Sequence, residues 1–145
     1  DEVRPSCVLV VGDVNSTLAC ALVAAKKQVP VAHVEAGLRS NDRTMPEEIN
    51  RLLTDQIADR LYTTERLAQA NLEREGVPAK RVCFAGNVMI DSLRSNLPAA
   101  RVPADTLRAG GADAGLLADA AGYGVVTLHR PSNVDSADRL EPLLA

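Results

Sequence analysis

Three carboxylates and one histidine–arginine pair occupy positions in this sequence from which side chains could act on a ligand. Asp13 and Glu35 each follow a short apolar run, Glu47 opens a helical pattern, and His129-Arg130 ends another apolar run. Positioned carboxylates can transfer protons at a carbon atom. An adjacent cationic pair suits a phosphate or diphosphate. These residue types therefore predict proton transfer at carbon beside a departing phosphate.

Each of these positions also has a structural interpretation that the sequence leaves open. Asp13 could cap a helix or a turn, and Glu35 could form an ion pair with Arg39 or Arg51. Glu47 is expected in the first turn of a helix, where the helix dipole favours an acid. It is also spaced i,i+4 from Arg51, as in many surface pairs. The histidine at the end of the last apolar run could equally be structural.

The stretch around Glu35 is the least easily explained by structure alone. A carboxylate at the end of an apolar strand is costly to bury unless it has a partner or a function. His33 alternates with Glu35 and shares its strand face. This histidine could orient a carboxylate, although a core histidine with satisfied hydrogen bonds is the favoured interpretation.

Short apolar runs alternate with helix-length segments along the chain. The expected strands are Val8 to Val11, Val31 to Val34, Leu61 to Thr63, Val82 to Ala85 and Gly124 to Leu128. This order predicts an α/β fold with a doubly wound parallel sheet, whose first strand would be buried on both faces. Ligands bind beyond the carboxyl ends of such strands. Asp13, Glu35, Asn87 and His129 are all expected there, which predicts one site.

Capping residues predict where the helices begin and end. Asn15 or Ser16 is expected to cap the first helix, and Thr64 a later one. Pro46 suits a first helical position. Gly76 is expected to end a helix in the left-handed conformation.

The composition predicts a packed domain followed by a connection. The chain has 145 residues and a hydrophobic fraction of 46%, which suit one ordinary domain. Residues 97–122 are rich in Pro, Gly and Ala and are predicted to connect to a new unit, with short helices over 105–108 and 114–120. Because the chain does not begin with Met and ends in an opening helical pattern, we expect a piece of a longer polypeptide.

Charge and aromatic content argue against a nucleic-acid partner, and hydropathy argues against a membrane. The net charge is −3, and the chain has one Phe, two Tyr and no Trp, which leaves neither a basic surface nor stacking platforms. No apolar run is long enough to span a bilayer. The chain carries no Walker loop, no dinucleotide glycine pattern and no nucleophile elbow.

The three cysteines, Cys7, Cys20 and Cys83, are an odd number without metal-ligand spacing. They are predicted to be buried free thiols in a reducing, cytoplasmic compartment rather than a disulfide or a metal site.

Five short motifs, taken in order, resemble those of the non-hydrolysing UDP-N-acetylglucosamine 2-epimerases. They are Val10-Val-Gly-Asp13 with Ser16-Thr-Leu, His33-Val-Glu-Ala-Gly-Leu-Arg39, Pro46-Glu-Glu-Ile-Asn-Arg51, Gly86-Asn-Val-Met-Ile-Asp91 and Thr127-Leu-His-Arg130. They cover nearly the whole chain except residues 97–122, and their combination is far more specific than any one of them.

The resemblance implies a glycosyltransferase-B-like architecture with two lobes and a cleft between them. Residues 1–86 would be the later part of the first Rossmann-like lobe, and residues 87–122 a hinge helix and connection. Residues 123–145 would be the first strand and helix start of the second lobe.

The resemblance also implies the reaction. The family interconverts UDP-GlcNAc and UDP-ManNAc without a redox cofactor, through elimination and re-addition of UDP and a 2-acetamidoglucal intermediate. The product would supply ManNAc-type sugars for a cell-surface polysaccharide. A homodimer is expected by resemblance, with neither a metal nor a cofactor.

Motif positions imply which residues act. Asp13, Glu35 and Glu47 match the catalytic carboxylates of the family, and His129 matches a catalytic histidine that contacts UDP. Arg130 and Asn133 follow in the same motif as substrate-binding residues. Ser132 stands where many members carry an acid that in some is linked to regulation by substrate.

Two other functions remain open at this point. The parent protein could be a related nucleotide-sugar glycosyltransferase of the same fold, or an epimerase of the hydrolysing subclass. The chain on its own could also be an inactive part of the enzyme.

Overall fold

The computed structural model describes residues 3–112, 115, 122–128 and 130–144. The chain divides into one unit over residues 1–98 and a second over residues 99–145. The first unit contains a β-sheet with helices, and the second contains short helices.

A parallel four-stranded sheet forms the centre of the first unit. Its strands are β1 (Val8–Val11), β2 (Val31–Val34), β3 (Arg60–Thr63) and β4 (Val82–Phe84), in the order β1-β2-β3-β4. Every neighbouring pair is parallel. The predicted parallel α/β fold is therefore confirmed, and its first four strands lie within two residues of their predicted bounds.

Helices connect the strands as the helical patterns predict. They are α1 (Asn15–Lys26), α2 (Pro46–Ile57), α3 (Arg66–Arg74) and α4 (Val88–Asn96), with a 3₁₀ turn at Ala79–Arg81. Pro46 occupies the first helical position, and Gly76 follows α3 with φ +79°. Both predictions are confirmed.

The predicted N-caps are wrong. Val14 occupies the cap position of α1 and Glu65 that of α3, and neither side chain accepts a capping hydrogen bond. The Asn15 side chain is used elsewhere, because its Oδ1 accepts a hydrogen bond of 3.0 Å from Asn50 Nδ2 in α2. The structure gives no comparable reason why Thr64 does not cap α3.

Small side chains let the helices pack closely on one face of the sheet. The core combines Val10, Val31 and Leu61 from the strands with alanines and Leu72 from the helices and turns. Consecutive parallel strands joined by right-handed crossovers carry their connecting helices on the same face. Leu9 and Val11, on the opposite face, are 62% and 54% exposed. The prediction that β1 is buried on both faces is therefore wrong.

The prediction that the three cysteines are free thiols is confirmed, but the prediction that they are buried is wrong. All three thiols are exposed. Cys83 aligns through Tyr62 and Val34 with Val11, on the sheet face that the helices leave open. Cys20 is an exposed position of α1, although Ala21 and Ala24 of the same helix are buried.

The second unit contains α5 (Pro103–Ala109) and the helices Pro131–Val134 and Ala137–Leu144. Helix α5 contains the predicted segment 105–108, whereas the predicted helix over 114–120 lies almost entirely outside the described residues. Residues 122–128 form no strand, so the strand predicted there is wrong. A strand needs a neighbour for its amide and carbonyl groups, and no sheet is described in this unit.

In the described part of the chain, no helix combines the length and apolarity needed to cross a membrane.

Two glycines with positive φ provide a matched test of how tightly the sheet edge is packed. A Cβ at Gly37 (φ +81°) would lie 2.6 Å from the Ala68 carbonyl oxygen, whereas one at Gly76 (φ +79°) would meet nothing within 4 Å. We expect Gly76→Ala to lower the free energy of unfolding by about 1–2 kcal/mol from left-handed strain alone. We expect Gly37→Ala to lower it by about 3 kcal/mol or more, because overpacking adds about 1–3 kcal/mol.

Urea denaturation of both variants measures the difference. Equal destabilisation by the two substitutions would show that glycine is needed at position 37 only for its backbone angle and that the neighbouring atoms can move to make room.

Candidate active site

Asp13 and Glu35 lie side by side at the carboxyl edge of the sheet. Their strands β1 and β2 are paired through Val11 and Val34, and the Gly12 N–H donates to the Val34 carbonyl at 3.0 Å. A Cβ at Gly12 would lie 3.3 Å from Glu35 Oε2. Glycine thus lets the Glu35 carboxylate approach the turn that carries Asp13. The structure brings together these two predicted site residues.

Helix α2 holds Asp13 from the other side. Arg51 Nη2 lies 2.5 Å from Asp13 Oδ2, and the two side chains are 16% and 29% exposed. Asn50 Nδ2 donates to the Asp13 carbonyl at 2.8 Å. Asp13 is therefore neither a helix cap nor a free turn residue, but a partly exposed carboxylate held by a guanidinium.

Glu35 adopts an unusual backbone conformation, with φ +71°. The left-handed region costs a residue with a side chain about 1–2 kcal/mol, so the surroundings must hold it there. The N–H groups of Glu35 and Ala36 both donate to the Tyr62 carbonyl at 3.1 Å. Observed strain of this kind occurs often at functional sites.

The ion pair considered for Glu35 does not form. Arg39 pairs with Asp55 and Glu75, and Arg51 is engaged by α2 and the β1 turn. Within the described part of the chain, the half-buried Glu35 carboxylate has no cationic partner.

Glu47 and Glu48 have opposite environments although they are adjacent. Glu47 is exposed, and the pair with Arg51 suggested by its spacing is absent, because Arg51 Nη1 binds Glu48 Oε2 at 3.0 Å. Residues four apart on a helix lie on the same side. Glu47 therefore stands on the side of α2 from which Arg51 reaches Asp13, with its carboxylate open to a ligand.

Glu48 is 2% exposed and anchors the loop before α2. Its two oxygens accept hydrogen bonds of 3.0 Å from the Ser40 and Asn41 amides. Burial by itself raises the pKa of Glu48, but hydrogen bonds from Ser40, Arg51 and Asn41 outweigh burial, so its pKa lies below the usual value. Glu48 is thus a structural carboxylate.

His33 is a buried histidine with both ring nitrogens satisfied, as the favoured interpretation predicted. It is 1% exposed. Nδ1 lies 2.7 Å from Asp55 Oδ1, and Nε2 lies 2.9 Å from the Gly12 carbonyl oxygen.

Arg39 closes this buried network. Its Nη2 lies 2.8 Å from Asp55 Oδ2, and its Nε and Nη2 donate to the two Glu75 oxygens at 2.8 and 2.6 Å. Burial by itself lowers the pKa of Arg39, but Glu75 and Asp55 raise it above its ordinary value. The guanidinium remains charged and ties the loop after β2 to α2 and to Glu75 beyond α3.

The remaining predicted site residues lie apart from this group in the sequence. Asn87 caps α4, where its side chain accepts from the Met89 amide at 2.9 Å. His129 lies outside the described residues. Arg130 and Asn133 belong to the second unit, where the Arg130 carbonyl accepts from the Asn133 amide at 2.8 Å.

Sequence reasoning missed Asp55 and assigned no partner to Asn50. Asp55 is four residues after Arg51, a spacing that suggests a surface ion pair rather than a fully buried carboxylate beneath the sheet edge. Asn50 and Arg51 are adjacent in one of the five motifs, and this was the feature of the sequence that could have predicted their contact with Asp13.

A cavity of about 920 Å³ lies elsewhere in the first unit. It is lined by residues before and within β1 and by α1, including Val8, Val23 and Lys27. None of the three candidate carboxylates lines it, so it is separate from the site. Among the described residues, no group of three His, Cys, Asp or Glu side chains is arranged to hold a metal ion.

The arrangement supplies acid and base groups at one edge of a sheet. Asp13 is held by Arg51, Glu35 lies against Gly12, and Glu47 is exposed in the first turn of α2, at the positive end of the helix dipole. Carboxylates placed in this way can accept and donate protons and can stabilise developing positive charge.

Comparison with known proteins associates the chain with one family. A family model described as UDP-N-acetylglucosamine 2-epimerase matches residues 1–145. The UDP-N-acetylglucosamine 2-epimerase of Methanocaldococcus jannaschii is 44% identical over 141 residues, covering 97% of this chain and 37% of that protein. The UDP-2,3-diacetamido-2,3-dideoxy-D-glucuronate 2-epimerase of Pseudomonas aeruginosa is 44% identical over 143 residues, with the same two coverages of 97% and 37%.

Solved structures agree with these sequences. A crystal structure of the Methanocaldococcus jannaschii UDP-GlcNAc 2-epimerase in complex with UDP-GlcNAc and UDP has a TM-score of 0.74 and 40% identity, covering 99% of this chain and 38% of that one. The Neisseria meningitidis UDP-GlcNAc 2-epimerase bound to UDP-GlcNAc has a TM-score of 0.66 and 34% identity, covering 74% and 29%. The chain thus spans well under half the length of these relatives.

The two adjacent glutamates give a test of the structural assignment. Because the pKa of Glu48 is lowered in the folded state, its stabilisation is present above the unfolded pKa and is lost as the pH falls through the folded pKa. We expect Glu48→Gln to lower the free energy of unfolding at pH 7 by about 1–3 kcal/mol. The difference from the unmodified protein should shrink in acid.

Glu47→Gln is the matched control, since its exposed side chain has no anchoring role and should change stability little. Urea denaturation at pH 7 and at acid pH measures both. A Glu48→Gln loss that is the same at every pH would contradict the role of the carboxylate charge.

Proposed function

The chain belongs to the UDP-N-acetylglucosamine 2-epimerase family, and from that premise we propose that it forms part of a non-hydrolysing epimerase. The whole enzyme would interconvert UDP-GlcNAc and UDP-ManNAc. The chain itself spans 37% of the relatives that it matches and is proposed to be inactive alone.

The proposed reaction is an elimination followed by an addition. A base removes the proton at C2 while the bond from C1 to the UDP oxygen breaks, and the electron pair leaves with UDP. The resulting 2-acetamidoglucal carries a C1–C2 double bond. UDP then adds back to C1 as an acid delivers a proton to the other face of C2. No net oxidation occurs, so no redox cofactor is required.

One observation carries the assignment to this site: Asp13 and Glu35 follow two paired strands, and Gly12, next to Asp13 in the chain, leaves room for the Glu35 carboxylate. Inversion at C2 needs proton carriers on two faces of the sugar, which a single carboxylate cannot supply. Glu47 is the third proposed carboxylate, exposed at the start of α2.

The Arg51 guanidinium supports the proposed role of Asp13. Arg51 Nη2 holds the Asp13 carboxylate in place, and a positioned carboxylate can stabilise the cationic character that develops as the C1–O bond breaks. Glu35, which has no cationic partner among the described residues, is better suited to carry a proton.

The second lobe is proposed to bind the leaving group. His129, Arg130 and Asn133 would contact UDP, with His129 as a catalytic donor near the diphosphate. This assignment is supported by their motif and by the suitability of cationic donors for phosphate. The architecture proposed for the whole enzyme places residues 1–86 in the first lobe, 87–122 in the connection and 123–145 in the second lobe.

The remaining proposals concern the setting of the enzyme. We propose a cytoplasmic homodimer whose product supplies ManNAc-type sugars for a cell-surface polysaccharide. These proposals are supported by family membership rather than by the site.

A second substrate is favoured by one specific observation. The Pseudomonas aeruginosa relative is as identical to this chain as the Methanocaldococcus jannaschii relative. It is named UDP-2,3-diacetamido-2,3-dideoxy-D-glucuronate 2-epimerase. Both sugars carry a 2-acetamido group beside C1, and the proposed chemistry serves either. Comparison of kcat/KM for the two substrates distinguishes them.

The elimination mechanism predicts solvent hydrogen at C2. The full-length protein is incubated with UDP-GlcNAc in heavy water, and the sugar is examined by mass spectrometry and NMR. We expect deuterium at C2 in both UDP-sugars, with UDP-ManNAc as product. Transfer of the sugar to an acceptor without exchange would instead identify a glycosyltransferase, and release of free ManNAc would identify the hydrolysing subclass.

Neutral isosteres test the three carboxylates. We expect Asp13→Asn, Glu35→Gln and Glu47→Gln to lower kcat by about 100-fold or more, while the affinity for UDP changes only modestly. The matched control is Glu65→Gln, which changes an exposed glutamate at another helix start and should retain activity. Full activity in Glu47→Gln would mean that this residue only complements the helix dipole.

A further inference from the structure

We propose that Asp55 is the positioning residue of this site. It is a carboxylate that contacts no substrate, and it acts by setting the two turns that carry Asp13 and Glu35. This inference rests on the proposed function and names the part of the fold that prepares the site for it.

Asp55 holds the chain on both sides of Glu35. Its Oδ1 lies 2.7 Å from His33 Nδ1, and its Oδ2 accepts the Gly37 N–H at 3.0 Å. His33 and Gly37 are two residues before and two residues after Glu35, whose φ is +71°. One side chain from α2 thus spans the strained turn and fixes the direction of the Glu35 side chain.

A second link runs from Asp55 to Asp13. His33 Nε2 lies 2.9 Å from the Gly12 carbonyl oxygen, which belongs to the peptide bond joining Gly12 to Asp13. A carbonyl can only accept, so Nε2 carries a hydrogen and donates it. Nδ1 faces the Asp55 carboxylate, and this pair holds a hydrogen between them. His33 therefore transmits the position of Asp55 to the neighbouring turn.

Burial excludes Asp55 from direct contact with a substrate. Its side chain is 0% exposed, and Arg39 Nη2 lies 2.8 Å from Oδ2. Both oxygens are thus occupied by protein donors. Asn71 Nδ2 adds a hydrogen bond of 2.9 Å to the Gly37 carbonyl, so the turn that Asp55 holds is also fixed from α3.

Alanine and asparagine at this position separate geometry from charge. Asp55→Ala removes both acceptors. In Asp55→Asn, the amide oxygen can accept from Gly37 and Arg39, while the amide nitrogen can donate to Nδ1 of a neutral His33. If position is what matters, asparagine restores most of what alanine removes.

The readout is chosen so that simple loss of folded protein would not move it. Kinetic parameters of the full-length protein are measured with UDP-GlcNAc carrying hydrogen or deuterium at C2. We expect Asp55→Ala to lower kcat by about 100-fold with little change in KM, and to raise the isotope effect on kcat, because a misplaced Glu35 makes proton removal slower. A smaller fraction of correctly folded enzyme would lower kcat and leave the isotope effect unchanged.

Asp59→Ala is the matched control. Asp59 follows Asp55 by four residues, and its Oδ2 accepts the Val31 N–H at 2.8 Å, at the opposite end of β2. Like Asp55→Ala, this substitution removes a carboxylate that accepts a backbone N–H, in this case at the start of β2 rather than in the loop after it. It should leave the isotope effect unchanged.

If Asp55→Ala does not yield folded protein, His33→Gln is measured in its place. The glutamine amide can still reach the Gly12 carbonyl, but Asp55 loses its donor at the Nδ1 position. The expected result is again a lower kcat with a larger isotope effect. An isotope effect equal to that of the unmodified enzyme, in whichever variant folds, would overturn the proposal, as would equal impairment by Asp55→Ala and Asp55→Asn.

Failure of the proposed function is recognised separately. The unmodified protein is first tested for exchange at C2, and absence of exchange would reject the epimerase activity rather than the positioning role. Amide hydrogen exchange of residues 35–37 then tests positioning without any activity. Faster exchange in Asp55→Ala but not in Asp59→Ala supports it, and unchanged exchange in both overturns it.

Discussion

A buried carboxylate must find donors within the protein, and the first unit is arranged around two that do. Asp55 and Glu48 both come from α2 and are almost completely buried. Each accepts backbone amides from the segment between β2 and α2. Since leaving such groups unpaired costs far more than the net gain of pairing them, the loop after β2 is bound to α2 along much of its length.

This arrangement divides the acidic residues of the site into two kinds. Asp55 and Glu48 are buried and saturated with hydrogen bonds, so they hold the backbone. Asp13, Glu35 and Glu47 retain exposure and are the carboxylates that we propose act on the sugar. Glu35 is one of the exposed carboxylates, but its strained backbone is held in place by the buried ones. Rigid support beneath a reactive edge is what proton transfer requires, because small displacements of the acting groups are costly.

Some features of the fold could be predicted because they depend on local pattern. The strands β1 to β4 are short apolar runs, and Pro46 and Gly76 act through their own backbone preferences. Predictions that depended on neighbours were less successful. The predicted N-cap of α1 was wrong because the Asn15 side chain binds Asn50 in another helix. The strand at 124–128 was wrong because hydropathy does not supply a pairing partner, and Val125 and Val126 are 80% and 78% exposed.

The sequence by itself determined that Asp13 and Glu35 end parallel strands, since apolar runs and their helical spacers specify the sheet and its carboxyl edge. Only the tertiary structure decided which acids are buried. Glu47 and Glu48 are one residue apart, and Arg51 is equally spaced for a surface pair with Glu47 or Asp55. Helix α2 could direct any of them inward until it packed against α1 and the sheet. Its rotation in that packing placed Glu48 and Asp55 among donors and left Glu47 in solvent.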